Sequence, residues 1–170
     1  MKKILILLII GMFPLLSAAQ SPAKAKAMLT LSFVRYIGWS DEAKKGDFVV
    51  GVVKDKDVAK NFVEQSTGKK FGYQDVVVKE FKSVEEIEDC QVLYVGSSSN
   101  FNKNADKIVE KVGKDTLIVT ETEGATNKGS MINFVIRDDM LKFELCKKNA
   151  SYAGIQFSAK LETMSAAINL

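Results

Sequence analysis

From Met131 to Leu145 the chain alternates with a period of two, breaks once, and alternates again. Ile132, Phe134 and Ile136 fall on one side of an extended segment, and Met131, Asn133, Val135 and Arg137 on the other. Asp138-Asp139 forms a two-residue break, after which Leu141, Phe143 and Leu145 resume the apolar side. Folding about the aspartates sets Ile136 opposite Leu141, Phe134 opposite Phe143, Ile132 opposite Leu145 and Asn133 opposite Glu144. A slip of one residue would destroy every apolar pair, so the register of this β-hairpin is well specified. Positive φ costs both aspartates, which leaves a longer loop or a type I turn open as alternatives.

The segments before the hairpin follow a different rhythm. Residues 23–38 carry apolar side chains at helical spacing (Leu29, Phe33, Tyr36, Ile37), with Pro22 near the first turn and Gly38 as the stop. Phe48–Val53 is a continuous apolar run, as in a strand covered on both faces. A helix over 56–66 follows, with Val58, Ala59, Phe62 and Val63 facing inward. Next come a strand at Val76–Val78, a short acidic turn over 83–88 and a strand over 91–95. A helix over 102–112 buries Ala105, Ile108, Val109 and Val112. A strand over 116–120 and a flexible polar loop over 122–130 complete the approach to the hairpin. Beyond the hairpin, residues 147–153 suggest a helical turn, 155–157 a short extended piece and 159–168 a terminal helix. This order predicts an α/β fold: a single-domain, mixed, mostly parallel sheet flanked by helices, with a C-terminal antiparallel hairpin.

The first nineteen residues stand apart. Lys2-Lys3, an apolar run from Ile4 to Leu16 and the small residues Ser17-Ala18-Ala19 describe a secretory signal peptide cleaved near Ala19. Residues 20–170 are then an exported domain, expected in the periplasm. Removing Lys2 and Lys3 from the 24 basic residues leaves 22, which nearly balance the 21 acidic ones, and the charges are dispersed, which sets nucleic acid aside as a partner.

The chain has no histidine, which removes Ser-His-Asp and Cys-His catalysis and histidine-ligated zinc. No cofactor is implied. Cys90 and Cys146 have two readings: a disulfide, worth about 4 kcal/mol at this loop length, or a pair of buried free thiols. Gly96-Ser97-Ser98-Ser99-Asn100 runs from a strand into a helix, where backbone amides and hydroxyls can hold an anion; helix capping by Ser99 or Asn100 explains the same residues. It lacks the Gly-Lys-Ser/Thr ending of a P-loop. On the second face of the hairpin, Met131, Arg137, Lys142 and Glu144 form a candidate partner surface, with Trp39 as a further candidate contact.

Four segments carry a family resemblance. KAKAMLTLSFVRYIGWS (24–40) resembles the opening helix of YfiR-like periplasmic proteins, Lys-Ala-x-x-Leu-x-x-Phe-x-x-Phe-x-x-Trp-Pro. CQVLYVGSS (90–98) is similar to their cysteine-bearing strand, and LIVTETEGATNKGSMINFVI (117–136) to their strand, glycine-bearing loop and Gly-Gly-Met-Ile-Asn-Phe stretch. LKFELCKKNASYAGIQFSAKL (141–161) follows Ile-x-Phe-Glu-Ile-Asn-x-x-x-Ala-x-x-Ala-Gly-Leu-x-Ile-Ser-Ser-x-Leu. Ser40 stands where proline is usual. Cys146 replaces an asparagine that would cap the next helix, which weakens any disulfide pattern borrowed from relatives.

The resemblance implies a non-enzymatic regulator. Characterised members bind the periplasmic part of a membrane-bound diguanylate cyclase and repress it, restraining cyclic-di-GMP signalling and biofilm formation; others accompany sensor kinases. The expected partner is therefore a membrane signalling protein. A small-molecule ligand at the Gly96–Asn100 rim is the alternative function, and a homodimer is a candidate assembly.

Overall fold

The computed structural model describes residues 21–169, so the expected signal segment lies outside the described residues. The first helix, α1 (Pro22–Phe33), starts where Ser21 accepts the Lys24 amide hydrogen and Pro22 fixes the first turn. It stops earlier than expected. Val34–Tyr36 tightens into a 3-10 turn, and β1 (Ile37–Gly38) is extended. Then come β2 (Phe48–Val53), α2 (Lys56–Ser66), β3 (Lys70–Phe71), β4 (Gln74–Phe81), β5 (Val92–Val95), α3 (Phe101–Val112) and β6 (Leu117–Thr120). The hairpin is β7 (Ile132–Arg137) and β8 (Met140–Cys146), followed by α4 (Lys147–Tyr152), β9 (Gln156–Phe157), α5 (Ala159–Met164) and β10 (Ala167–Asn169).

Eight strands form one sheet in the order β10-β8-β7-β6-β5-β2-β4-β3. The five from β4 to β7 are parallel, β8 is antiparallel to β7, and β3 is antiparallel to β4. The fold is thus α/β with a mixed, mostly parallel central sheet flanked by helices. β1 and β9 make a separate two-stranded ribbon that ties the end of α1 to the C-terminal segment. The apolar runs of β2, β5 and β6 are buried on both faces, except for a half-buried Val49. On α2 and α3 the apolar stripe is narrower than expected: Val63 is 50% exposed and Val109 39%.

The hairpin pairs Ile132 with Leu145, Asn133 with Glu144, Phe134 with Phe143 and Ile136 with Leu141, as the alternation requires. Its turn is the tight two-residue form after all. Asp138 and Asp139 sit at φ 52° and 58°, as a type I′ turn demands. Lys142 Nζ donates to Asp138 Oδ2 at 2.8 Å and steadies this strained pair.

Three expectations change. Residues 159–168 are not one helix: α5 ends at Met164, and β10 pairs in parallel with β8, covering an edge the hairpin would leave open. Residues 122–130 are not a loose polar loop either. Ala125–Lys128 is a 3-10 turn with Ala125 and Thr126 buried, held by Asn149 Nδ2 donating to the Thr126 and Ser130 carbonyls at 2.7 and 2.8 Å. Finally, Lys70–Phe71 and the turn at Gly72-Tyr73 add an edge strand that two residues were too few to announce.

Candidate functional site

The strand order reverses at β2, which has β4 on one side and β5 on the other. In open α/β sheets the crevice beyond the carboxyl ends of two such strands is the usual ligand position. Here the loops that bound it are Lys54-Asp55 after β2 and Gly96–Asn100 after β5. They are bonded to each other. The Gly96 amide donates to the Val53 carbonyl at 3.0 Å, the Ser99 hydroxyl to the same carbonyl at 3.2 Å, and the Ser98 hydroxyl to the Lys54 carbonyl at 2.6 Å. A Cβ on Gly96 would lie 2.7 Å from that of Asp55 and 3.1 Å from the Lys54 oxygen, so only glycine permits this approach. Asn100 precedes α3 in the left-handed conformation at φ 48°, and its side chain makes no capping bond.

The loop does receive an anion, but from the protein itself. The Ser97 amide donates to Glu121 Oε1 at 2.9 Å, and the other carboxylate oxygen pairs with Lys26 of α1. Both members are largely buried, with side-chain exposures of 18% for Lys26 and 10% for Glu121. Beneath the pair, the Tyr94 hydroxyl is buried without a well-formed hydrogen bond among the described residues. Burial, and then the Glu121 and Asp55 carboxylates, hold it protonated far above the usual phenol range. Asp55 caps α2 by accepting the Val58 amide hydrogen at 3.0 Å, and its carboxyl is pushed up chiefly by burial, with Glu121 adding to the effect. The sequence reading missed Lys26, Asp55, Tyr94 and Glu121. An acidic residue within two positions of the end of a buried strand, as at Asp55 and Glu121, was the signal available.

The hairpin face divides into two ends. Met131 is 4% exposed, and Asn133 and Val135 are buried beside it, so Met131 leaves the partner surface expected from alternation. It lines a small cavity together with Val109 and Val112 of α3 and Ile118 of β6. Asn133 Oδ1 accepts the Thr120 hydroxyl at 2.7 Å and the Thr122 amide at 3.0 Å. At the other end Met140, opposite Arg137, is 56% exposed, and Ile136, on the first face, is 59% exposed. Arg137 there donates to Glu144 at 3.1 Å and to Glu123 at 3.3 Å, and Lys142 lies across the turn. Trp39 is half-buried: its indole N–H donates to the Val34 carbonyl at 3.2 Å and its ring meets Phe48 edge-on. It is a packing residue more than a surface one.

Cys90 and Cys146 are both buried and free, which corrects the disulfide reading. The strands that carry or follow them, β8 and β5, are three intervals apart, roughly 14 Å at the usual spacing and well beyond disulfide reach. Burial pushes the Cys90 thiol up to about 12. Cys146 occupies the N-cap of α4 and makes no side-chain capping bond, as its replacement of asparagine predicts.

Among the described residues no group of three or more histidine, cysteine, aspartate or glutamate side chains can hold a metal ion, and no helix is long and apolar enough to cross a membrane. A family model described as YfiR/HmsC-like matches residues 23–165, from the first turn of α1 to the end of α5. The chain belongs to the YfiR/HmsC-like family. That membership supports a periplasmic and regulatory character. No curated protein matches it. Among solved structures, this YfiR/HmsC-like chain is similar to a conserved domain protein from Vibrio cholerae O1 biovar El Tor, with a TM-score of 0.57 at 10% identity over 88% of this chain. It is also similar to an ABC domain from Streptococcus pneumonia in complex with L-Trp, with a TM-score of 0.52 at 13% identity over 86% of this chain. The chain spans 60% of the length of each, and at these identities the likeness concerns the fold.

Proposed function

We propose that the protein is an exported, non-enzymatic regulator that binds the periplasmic part of a membrane signalling protein, a diguanylate cyclase or a sensor kinase, and holds it in one state. The observation that carries this reading is the distal end of the hairpin. Met140 stands exposed opposite Arg137 and its Glu123 partner on the second face, and Ile136 stands exposed on the first, so the tip carries apolar side chains within a charged rim of the kind signalling interfaces use. The crevice where an α/β enzyme would place its chemistry is bridged by the Ser98 and Ser99 hydroxyls, which argues for surface recognition over turnover. A regulator of this kind needs only a difference in affinity between two partner states; a hundredfold change in output corresponds to about 3 kcal/mol.

The test is capture from detergent-solubilised membranes with the purified protein as bait. The parent is expected to retain a membrane signalling protein, and Ile136→Asp with Met140→Asp to lower its recovery at least tenfold with an unchanged thermal midpoint. Recovery of no membrane protein by the parent, or equal recovery by the folded variant, overturns the assignment to this surface.

A further inference from the structure

On the far side of α1 from the hairpin lies a second concavity. An open groove of about 400 Å³ runs between the later turns of α1, the end of α2 and the β3–β4 pair, and falls within the usual range of small-molecule sites. Met28 and Leu31 form one apolar wall and Phe71 and Val76 the other, while Gln65 and Ser66 close the end. The charged side chains that line it are Arg35, Lys69 and Lys70, all cations.

The chain has 21 acidic residues and places some of them beside cations elsewhere, as with Lys79 and Glu88, Lys107 and Glu85, Arg137 with Glu123 and Glu144, and Lys147 and Glu162. In the groove Lys70 pairs with Asp75 at 2.9 Å, but Arg35 and Lys69 have no ion pair or side-chain hydrogen bond among the described residues. A fourth cation, Lys160, sits over the Tyr36 ring at 5.2 Å from its centroid. Both α1 and α2 end here, and cations complement helix carboxyl ends. That accounts for positive charge near the groove. It does not account for an open apolar floor with no carboxylate on its walls.

We propose that this groove binds a small amphipathic organic acid, its apolar chain or ring lying on Met28, Leu31, Phe71 and Val76 and its carboxylate held by Arg35 and Lys69. A guanidinium fork beside a flexible ammonium suits a single carboxylate, and the apolar wall supplies the area that an exposed ion pair alone lacks. The site is independent of the membrane-partner reading, since the groove borders β3 and the hairpin tip lies at the opposite side of the sheet.

The test is calorimetric titration of the purified protein at low salt with decanoate and 4-phenylbutyrate, against decanol (the same body without charge) and acetate (the head without a body). At least one acid is expected to bind, decanol at least tenfold more weakly, and acetate not measurably. Arg35→Gln with Lys69→Gln should weaken the acid at least tenfold, about 1.4 kcal/mol, and leave decanol unchanged. Gln65→Glu, which adds a carboxylate to the wall and removes no cation, should weaken the acid as well and decides the matter if the double variant fails to fold. Failure of both acids to bind, equal affinity for acid and alcohol, or unchanged acid affinity in the folded variants overturns the proposal.

Discussion

At the carboxyl edge of β2 and β5, two of the three hydroxyls of the serine loop donate to backbone carbonyls, and the Ser97 amide meets an internal carboxylate. Along the groove between α1 and β4, by contrast, Arg35 and Lys69 face solvent over an apolar floor. The first region has the topology of a ligand site and internal partners in place of a ligand. The second has no topological pedigree and leaves Arg35 and Lys69 without an ion pair among the described residues. Strand order says where a crevice forms; hydrogen-bond satisfaction says whether anything else can enter it. α1 is common to both, since Lys26 in its second turn bridges to Glu121 and Met28 and Leu31 in its later turns wall the groove.

The largest effect should therefore come from loosening α1. Phe33 is fully buried, with ring centroids 4.5 Å from Phe143 and 6.1 Å from Phe134. Phe33→Ala is expected to cost about 3–5 kcal/mol in urea unfolding, the usual range for a buried aromatic. Loss of the organic-acid site and of the closed edge together would follow from a displaced helix. A cost below about 1 kcal/mol, far short of that range, would show that α1 is held mainly by α2.

A smaller substitution separates the two regions. Gly96→Ala drives a methyl group against Asp55 and two backbone carbonyls, which cannot yield as a flexible side chain would. Overpacking of this kind costs about 1–3 kcal/mol. Lys69→Gln in the groove should stay within about 0.5 kcal/mol, as for surface positions free of partners. If the two variants unfold at the same urea concentration, the loops at this edge yield to the added methyl group and the edge is not closed.

The difference between the regions also marks what was legible in the sequence. The hairpin register was readable to the residue because period-two alternation leaves one pairing that buries Ile132, Phe134, Phe143 and Leu145 together. The buried parallel strands announced themselves as apolar runs. What alternation cannot show is what lies above a face. Met131 and Arg137 share a side of β7, yet the first is buried near Val109 and Val112 of α3 and the second is exposed. β10 was hidden for a related reason: Ala167, Ile168 and Asn169 are all exposed, so no burial pattern distinguishes strand from helix, and the free edge of β8 decides. The Glu121–Lys26 pair joins residues 95 positions apart, and no local spacing encodes it. The serine loop was legible as a strand-to-helix connection, but the bonds of its hydroxyls depend on the neighbouring loop after β2.

The smallest effect concerns proton uptake at the closed edge. Around Asp55 stand Glu121 and Asp57, which raise its carboxyl beyond the larger push from burial, and the Val58 amide and Lys26, which lower it; the net direction is upward from 3.8. A carboxyl raised in the folded state favours the protonated form, so the stability it lends is complete below the unfolded value and is lost as pH rises through the higher folded value. The substitution Asp55→Asn keeps an oxygen that can accept the Val58 amide hydrogen, and asparagine and aspartate are comparable caps. Asp55→Asn is thus expected to match the parent in acid and to gain on it as pH climbs through the carboxylate range, levelling once Asp55 is ionised in both states. Thermal midpoints of the two proteins measured at closely spaced pH values check this. Parallel curves would mean that Asp55 meets water as freely folded as unfolded, and the edge would then be an open crevice after all.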